Sequence, residues 1–562
     1  MHDLVIRGGA VIDGTGAAAR TADVAVDAGV ITEIGPGLGA ARRELDADGL
    51  LVTPGWVDIH THYDGQVMWD PEVTPSSWHG VTTVVMGNCG VGFAPVRGGE
   101  EDFLVELMEA VEDIPGSALH EGIEWRWQSF GEYLDAIDSM PRVLDVAAQV
   151  PHAALRAYVL GQRAHEDATA DEVREMARLV EEALRAGAVG FSTSRTALHF
   201  SRHGVIPGTV APAAELTAIG EAMARAGKGV FQFISDRPES SGEQEWILDL
   251  ARRLGLTLTY LLGQNDRDPG AWRRQLDAAA ALRQDGVKLV PQVAARPVGL
   301  LYGLTGTMNP FMKHPTYRRV AGLPLAEKVA ELRKPEVRAA LLADEPRTHD
   351  KVTLRMIQDW ARIFPLGDPP DYEPRPEQGA ASVAARQGRR VEEVVLDWLL
   401  ERDGKALLYR PITGYVDYDH EAIREMMAHP ASVLGLSDGG AHCGVVCDAS
   451  MTTFLLTHWA RDRTRGERFP VEQLVHWQTA RQADLYGLAD RGRLLPGLRA
   501  DVNLVDFDAL RLHEPEMRYD LPAGGRRLVQ KVDGYEATVV AGEVTFERGE
   551  PTGARPGRLV RG

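Results

Sequence analysis

Between residues 57 and 436 the chain repeats one unit: an amphipathic helix, a breaker, and then a short apolar run. Thr169-Ala170-Asp171-Glu172 is a capping box, Val173, Met176, Val180 and Leu184 mark one apolar helix face, Gly187 ends it, and residues 188–193 read as a strand. The pattern recurs with helices at 246–254, 272–283, 391–400 and 420–427, each followed by an apolar run. Strands alternating with helices pair in parallel, because each helix carries the chain back to the end where the last strand began. The middle of the chain is therefore α/β. Runs near 57, 81, 146, 188, 229, 256, 287, 406 and 433 give nine candidate strands, where a closed parallel barrel takes eight. The run at 406–409 is expected to belong to an excursion. The long, Pro-rich and charged stretch from about 297 to 390 is expected as a lid-like insertion over the barrel mouth.

Both ends read differently. Residues 4–6, 10–12, 23–26 and 30–34, and then 500–505, 536–540 and 543–546, are short strands separated by turns. The expectation is one small β-sandwich completed by residues 1–54 and 496–562, around a barrel spanning 55–495; two separate terminal domains are the alternative. At 562 residues with 44% hydrophobic content the chain can bury a large core. Its net charge of −20 disfavours nucleic acid and anionic membrane surfaces as partners. Three cysteines imply no disulfide framework, and neither a secretory leader nor a membrane-length apolar run is evident. These features predict a cytoplasmic protein acting on a small molecule, and a homo-oligomer is compatible with them.

The chemistry concentrates at strand ends. In Trp56-Val57-Asp58-Ile59-His60-Thr61-His62 the two histidines are two apart, so in a strand both imidazoles face one side and can meet one ion. A lone His-x-His is commonplace. Here it ends a strand, a second strand ends in Gly87-Asn88-Cys89-Gly90, and a third, far downstream, ends in Ser437-Asp438-Gly439. In a parallel barrel all three tips lie on the same rim.

These segments resemble the amidohydrolase superfamily, and within it the N-acyl-D-amino-acid deacylase (D-aminoacylase) group. The resemblance runs over nearly the whole chain, through Gly8–Gly16, Thr53–Asp64, Gly87–Gly90, Gly187–Ser194, Pro207-Gly208, Ser437–Gly439, Gly497–Asp501 and Pro551–Arg558. It implies a (β/α)8 TIM barrel with a small β-sandwich from both termini, zinc, and hydrolysis of an amide C–N bond. By position it implies His60, His62 and Cys89 as metal ligands, with Asp438 as both ligand and general base/acid. The group also carries histidines at the ends of the fifth and sixth strands. This chain has Val230-Phe231-Gln232-Phe233 and Tyr260-Leu261-Leu262-Gly263-Gln264 there. The expectation is therefore a single ion held by His60, His62, Cys89 and Asp438.

Five further residues are candidates for substrate binding. His152 follows the third strand, and an ordinary core histidine explains it equally well. Arg195 and Arg296, at strand ends, have the fork geometry to grip a substrate carboxylate, and a plain ion pair is the competing account. His199 lies in the loop after the fourth strand, and His442 four residues past Asp438. Cys443 and Cys447 read as packing thiols. The leading function is a metal-dependent amidohydrolase acting on an N-acyl-(D-)amino acid or related amide. The alternatives are a diverged member catalysing condensation or cyclisation at the same site, and a metal-poor small-molecule binding protein.

Overall fold

In the computed structural model, which describes residues 1–348 and 350–562, eight strands form one parallel sheet. They are β1 (Trp56–Asp58), β2 (Val81–Met86), β3 (Asp145–Pro151), β4 (Gly190–Arg195), β5 (Val230–Ser235), β6 (Thr257–Leu261), β7 (Leu289–Val293) and β8 (Val433–Leu434). Each pairs with the next in sequence. The two ends of the sheet meet just beyond β1 and β8, where the Asp438 N–H donates to the His60 carbonyl at 3.1 Å and the His62 N–H to the Gly439 carbonyl at 2.7 Å. The barrel therefore closes through the backbone that bears the candidate ligands. Val57, Ile59, Val85, Ala147, Val189, Val230 and Val433 form one buried cluster against Ala483, Tyr486 and Leu488.

The expected capping box is present: the Thr169 hydroxyl accepts from the Glu172 N–H, and Glu172 accepts from the Thr169 N–H. The helix Ala170–Ala186 that follows buries Met176, Val180 and Leu184 and stops at Gly187.

Both termini enter one nine-stranded sheet. Val502–Val505 pairs antiparallel with Leu51–Pro54 on one side and with Tyr535–Val540 on the other, while Leu51–Pro54 pairs with His2–Val11. Leu4, Ile6, Val24, Ile31, Val52, Val502, Leu504 and Val539 share its core. The runs at 4–6 and 10–12 are one strand, interrupted by a register shift between Ile6 and Gly9.

The run at 406–409 lies outside the barrel, as expected. Leu408–Pro411 joins Gly299–Tyr302 and Phe364–Pro365 in a small antiparallel sheet. This inserted layer reaches beyond 390, because helix Val391–Leu400 turns Val395, Leu396 and Leu399 into a core shared with Tyr302, Leu332, Leu341 and Ile363. Among the described residues no helix is long and apolar enough to cross a membrane.

Candidate metal centre

His60 and His62 lie just past β1, Cys89 in the turn after β2, and Asp438 in the turn after β8. Ligand atoms of His60, His62 and Cys89 all lie within 4.8 Å of one another. His60 Nε2 is 3.4 Å from Cys89 Sγ and 3.4 Å from Asp438 Oδ1, and His62 Nε2 is 3.7 Å from Asp438 Oδ1. Donors bound about 2.0–2.3 Å from a common ion at tetrahedral angles sit roughly 3.3–3.8 Å apart, the spacing of these three pairs, so His60, His62 and Cys89 form the group that suits a zinc-sized cation and Asp438 reaches it from the side of the two imidazoles. The structure brings the three expected ligands His60, His62 and Cys89 together and sets the Asp438 carboxylate against both imidazoles.

The backbone is bent to deliver them. Cys89 and Asp438 adopt left-handed φ values of 55° and 47°, and His442 one of 52°. Such conformations cost of order 1–3 kcal/mol each in non-glycine residues and cluster at functional sites. Gly87, at φ 79°, leads into Cys89; a Cβ there would lie 2.4 Å from the Gln149 carbonyl oxygen, so only glycine permits this turn.

A further ring of side chains orients the four. His60 Nδ1 is 3.0 Å from Gln292 Oε1, an acceptor that fixes the proton on Nδ1 and frees Nε2. The Cys89 N–H donates to Gln232 Oε1 at 2.9 Å. Glu112, at the end of helix Glu101–Glu112, bridges two histidines: Oε1 is 3.4 Å from His62 Nδ1 and Oε2 is 3.5 Å from His442 Nε2. The Asp58 carboxylate accepts from the Ser437 hydroxyl and, at 3.2 Å, from the His60 N–H.

The electrostatics ask for a cation. Burial pushes the Cys89 thiol up to about 11 and the His60 imidazole down to about 4. Burial also opposes charge on His62, but Glu112, Asp438 and Cys89 around it outweigh that and raise it well above the ordinary histidine value. For Asp438 burial is outweighed by the hydrogen bond with His62 and the charges of His60 and His442, which hold its carboxyl below the usual range. His62 Nδ1, one Glu112 oxygen and the amide nitrogens of Gln232 and Gln292 are buried without a hydrogen-bond partner among the described residues. Two imidazoles, a thiol and a carboxylate, with unspent polar atoms around them, are a donor set that suits zinc.

The five candidate substrate residues divide. His152 is buried with both ring nitrogens committed, to Thr193 Oγ1 at 2.9 Å and Glu215 Oε1 at 2.8 Å, with Arg156 also on Glu215. Its surroundings are those of a core histidine. Arg195 spends its guanidinium on Glu243 at 2.7 Å and on the Gly208 and Ala211 carbonyls. Arg296 is buried over the Tyr372 ring and donates one nitrogen to Asp448 at 2.9 Å and the Cys447 carbonyl at 2.7 Å; its Nε and Nη1 are unpaired among the described residues. His199 Nδ1 meets Ser194 Oγ at 3.0 Å, and its imidazole is pushed down to about 3 by burial and by the nearby charges of His442 and His62. His199 and His442 therefore border the centre.

Sequence reasoning missed Glu112, Gln232 and Gln292 as supporting residues. Glu112 left a trace: it lies four residues past Met108 and eight past Leu104, on the buried face of its own helix, where a carboxylate needs a partner. Cys443 and Cys447 are buried free thiols, as expected.

A profile for the amidohydrolase family matches residues 43–546. A D-aminoacylase of Alcaligenes xylosoxydans xylosoxydans is 28% identical over 573 residues, covering 99% of this chain and 97% of its own. An N-acyl-D-glutamate deacylase of the same organism is 28% identical over 571 residues, covering 100% and 96%. Among solved structures, an N-acyl-D-glutamate deacylase from Bordetella bronchiseptica, complexed with zinc and a phosphonate mimic of the tetrahedral intermediate, is 25% identical. It aligns with a TM-score of 0.66 over 100% of both chains. With the match spanning most of the chain, the protein belongs to the amidohydrolase family, hydrolases of carbon–nitrogen bonds other than peptide bonds.

Proposed function

We propose that this chain is a zinc-dependent deacylase of N-acyl amino acids, of the D configuration its named relatives act on, with one ion at the barrel centre. The convergence of His60, His62 and Cys89 within 4.8 Å, with Asp438 3.4–3.7 Å from the two imidazoles, carries the reading. Zinc bound there supplies a Lewis acid that acidifies water and polarises a carbonyl.

The protein's part is to place and protonate. Asp438 is ionised at neutral pH, takes a proton from the attacking water, and returns it to the amine nitrogen as the C–N bond breaks, leaving a carboxylate and a free amine. Glu112 and Gln292 orient the two imidazoles from behind. Arg296, with Nε and Nη1 unspent, offers donors to the substrate carboxylate, and His199 and His442 border its approach.

Screening N-acyl-D- and N-acyl-L-amino acids against the wild type and Asp438→Asn tests this. Turnover of at least one D-substrate, lowered about 10²–10⁴-fold in Asp438→Asn, is expected. Undiminished hydrolysis by Asp438→Asn contradicts the assigned base.

A further inference from the structure

A second set of ligand-type side chains lies outside the barrel-centre site and shares no residue with it. Glu373 comes from the inserted layer, His420 precedes helix Glu421–Ala428, and His458 sits in the π-helical turn Thr457–Asp462 that continues helix Met451–Leu456. Glu373 Oε2 is 3.2 Å from His458 Nε2 and 3.8 Å from His420 Nδ1, and the two nitrogens are 3.3 Å apart. The edges of a tetrahedral zinc site with nitrogen and oxygen donors are about 3.3 Å. Glu373 and His420 are buried, and the His458 side chain is 15% exposed.

Proton counting favours a cation between them. His420 Nε2 faces the Tyr372 carbonyl at 2.9 Å, and a carbonyl only accepts, so the ring proton is on Nε2 and Nδ1 presents a bare lone pair. Without a metal, a single proton on His458 Nε2 has to serve both that lone pair and the Glu373 carboxylate. A histidine whose other nitrogen donates to a backbone carbonyl, beside a carboxylate that is itself hydrogen-bonded, is the arrangement that supports metal ligands. Glu373 meets the second condition: Oε1 accepts from the His420 N–H at 2.9 Å and from Arg463 at 3.2 Å. Arg463 also approaches Oε2 at 3.4 Å and divides its charge with Glu421 at 2.9 Å, while Arg465 holds the Glu373 carbonyl at 2.8 Å. Net charge here is close to balanced, so directed lone pairs rather than bulk negative charge would hold the ion. π-Helical turns inside α-helices are frequent at functional sites, and this one positions His458.

We propose that Glu373, His420 and His458 bind a second divalent transition-metal ion of the zinc class, with water in the fourth position. The ion pins the inserted layer to the barrel, independently of the hydrolytic reading. The site has no thiolate, whereas the barrel centre has Cys89, which gives each a distinct signature.

The test is Co²⁺ titration of the full chain after chelator treatment. The wild type is expected to take up two equivalents, only one of which gives thiolate-to-cobalt charge-transfer absorption. His458→Gln and Glu373→Gln should each lose the equivalent without that band and keep the other. His60→Ala/Cys89→Ser should lose the banded equivalent and keep the unbanded one. Equal uptake by the wild type and both triad variants overturns the proposal, even if the barrel variant fails to fold. Absence of the charge-transfer band in the wild type counts against the barrel centre alone.

Discussion

Glu112 stands behind His62 in the position of the carboxylates that steady zinc-bound imidazoles. Glu112→Gln keeps the shape and removes the charge. It is expected to weaken zinc binding about 10–100-fold, read by competition with a chromophoric chelator, with helix content unchanged. Unchanged affinity would make Glu112 a packing residue. A second prediction follows from protons. The Cys89 thiol, at about 11, and His62, raised well above the ordinary value, both carry protons at pH 6–7 in the metal-free protein. Zinc must displace both, so its affinity is expected to rise about 100-fold per pH unit in that window, and only about tenfold in Cys89→Ser. His60, at about 4, is already neutral and contributes no slope. An affinity flat in pH contradicts a thiolate–imidazole site. The pair His60 and His62 was readable from sequence because strand alternation fixes which way side chains point. Glu112 was not, because its contacts with His62 and His442 join loops some fifty and three hundred residues away.

At the scale of elements, local signals performed best where one element decides its own boundary. The Thr169–Glu172 capping box fixes the start of helix Ala170–Ala186 without help from the rest of the chain. Thr169→Ala is expected to cost about 1 kcal/mol in urea unfolding, and a loss below a few tenths would show that packing alone holds that turn. The limits of the inserted layer were less legible. Helix Val391–Leu400 has the same apolar period whichever core it faces, and only the structure shows Val395 and Leu399 packed with Tyr302 and Leu341. Likewise the bulge between Ile6 and Gly9 made one long strand read as two.

The whole molecule is tied together by the two chain ends. Asp145, fully buried at the start of β3, pairs with Arg491 at 2.6 Å and Arg499 at 3.0 Å and accepts from the Arg558 N–H at 2.8 Å. Asp145→Ala removes the buried acceptor that Arg491 and Arg499 share, leaving them Asp490 and Asp501, and is expected to cost about 1–3 kcal/mol in urea unfolding. A cost under about 1 kcal/mol would mean that Asp145 adds little to the hold between the terminal segments and the barrel. The strand style of the two ends suggested one small β-domain with two separate ones as the alternative, and the single sheet with its pairing of Val502–Val505 to Leu51–Pro54 required coordinates. The parallel pairing of the barrel strands was legible in the helix–strand alternation, whereas closure into an eight-stranded barrel was an expectation from the family resemblance.

The most direct test of the barrel-centre ion is anomalous diffraction at the zinc edge from crystals grown with zinc. A peak about 2.0–2.3 Å from His60 Nε2, His62 Nε2 and Cys89 Sγ, beside Asp438, is the predicted result. A zinc-replete crystal with no anomalous density among those four side chains would contradict it.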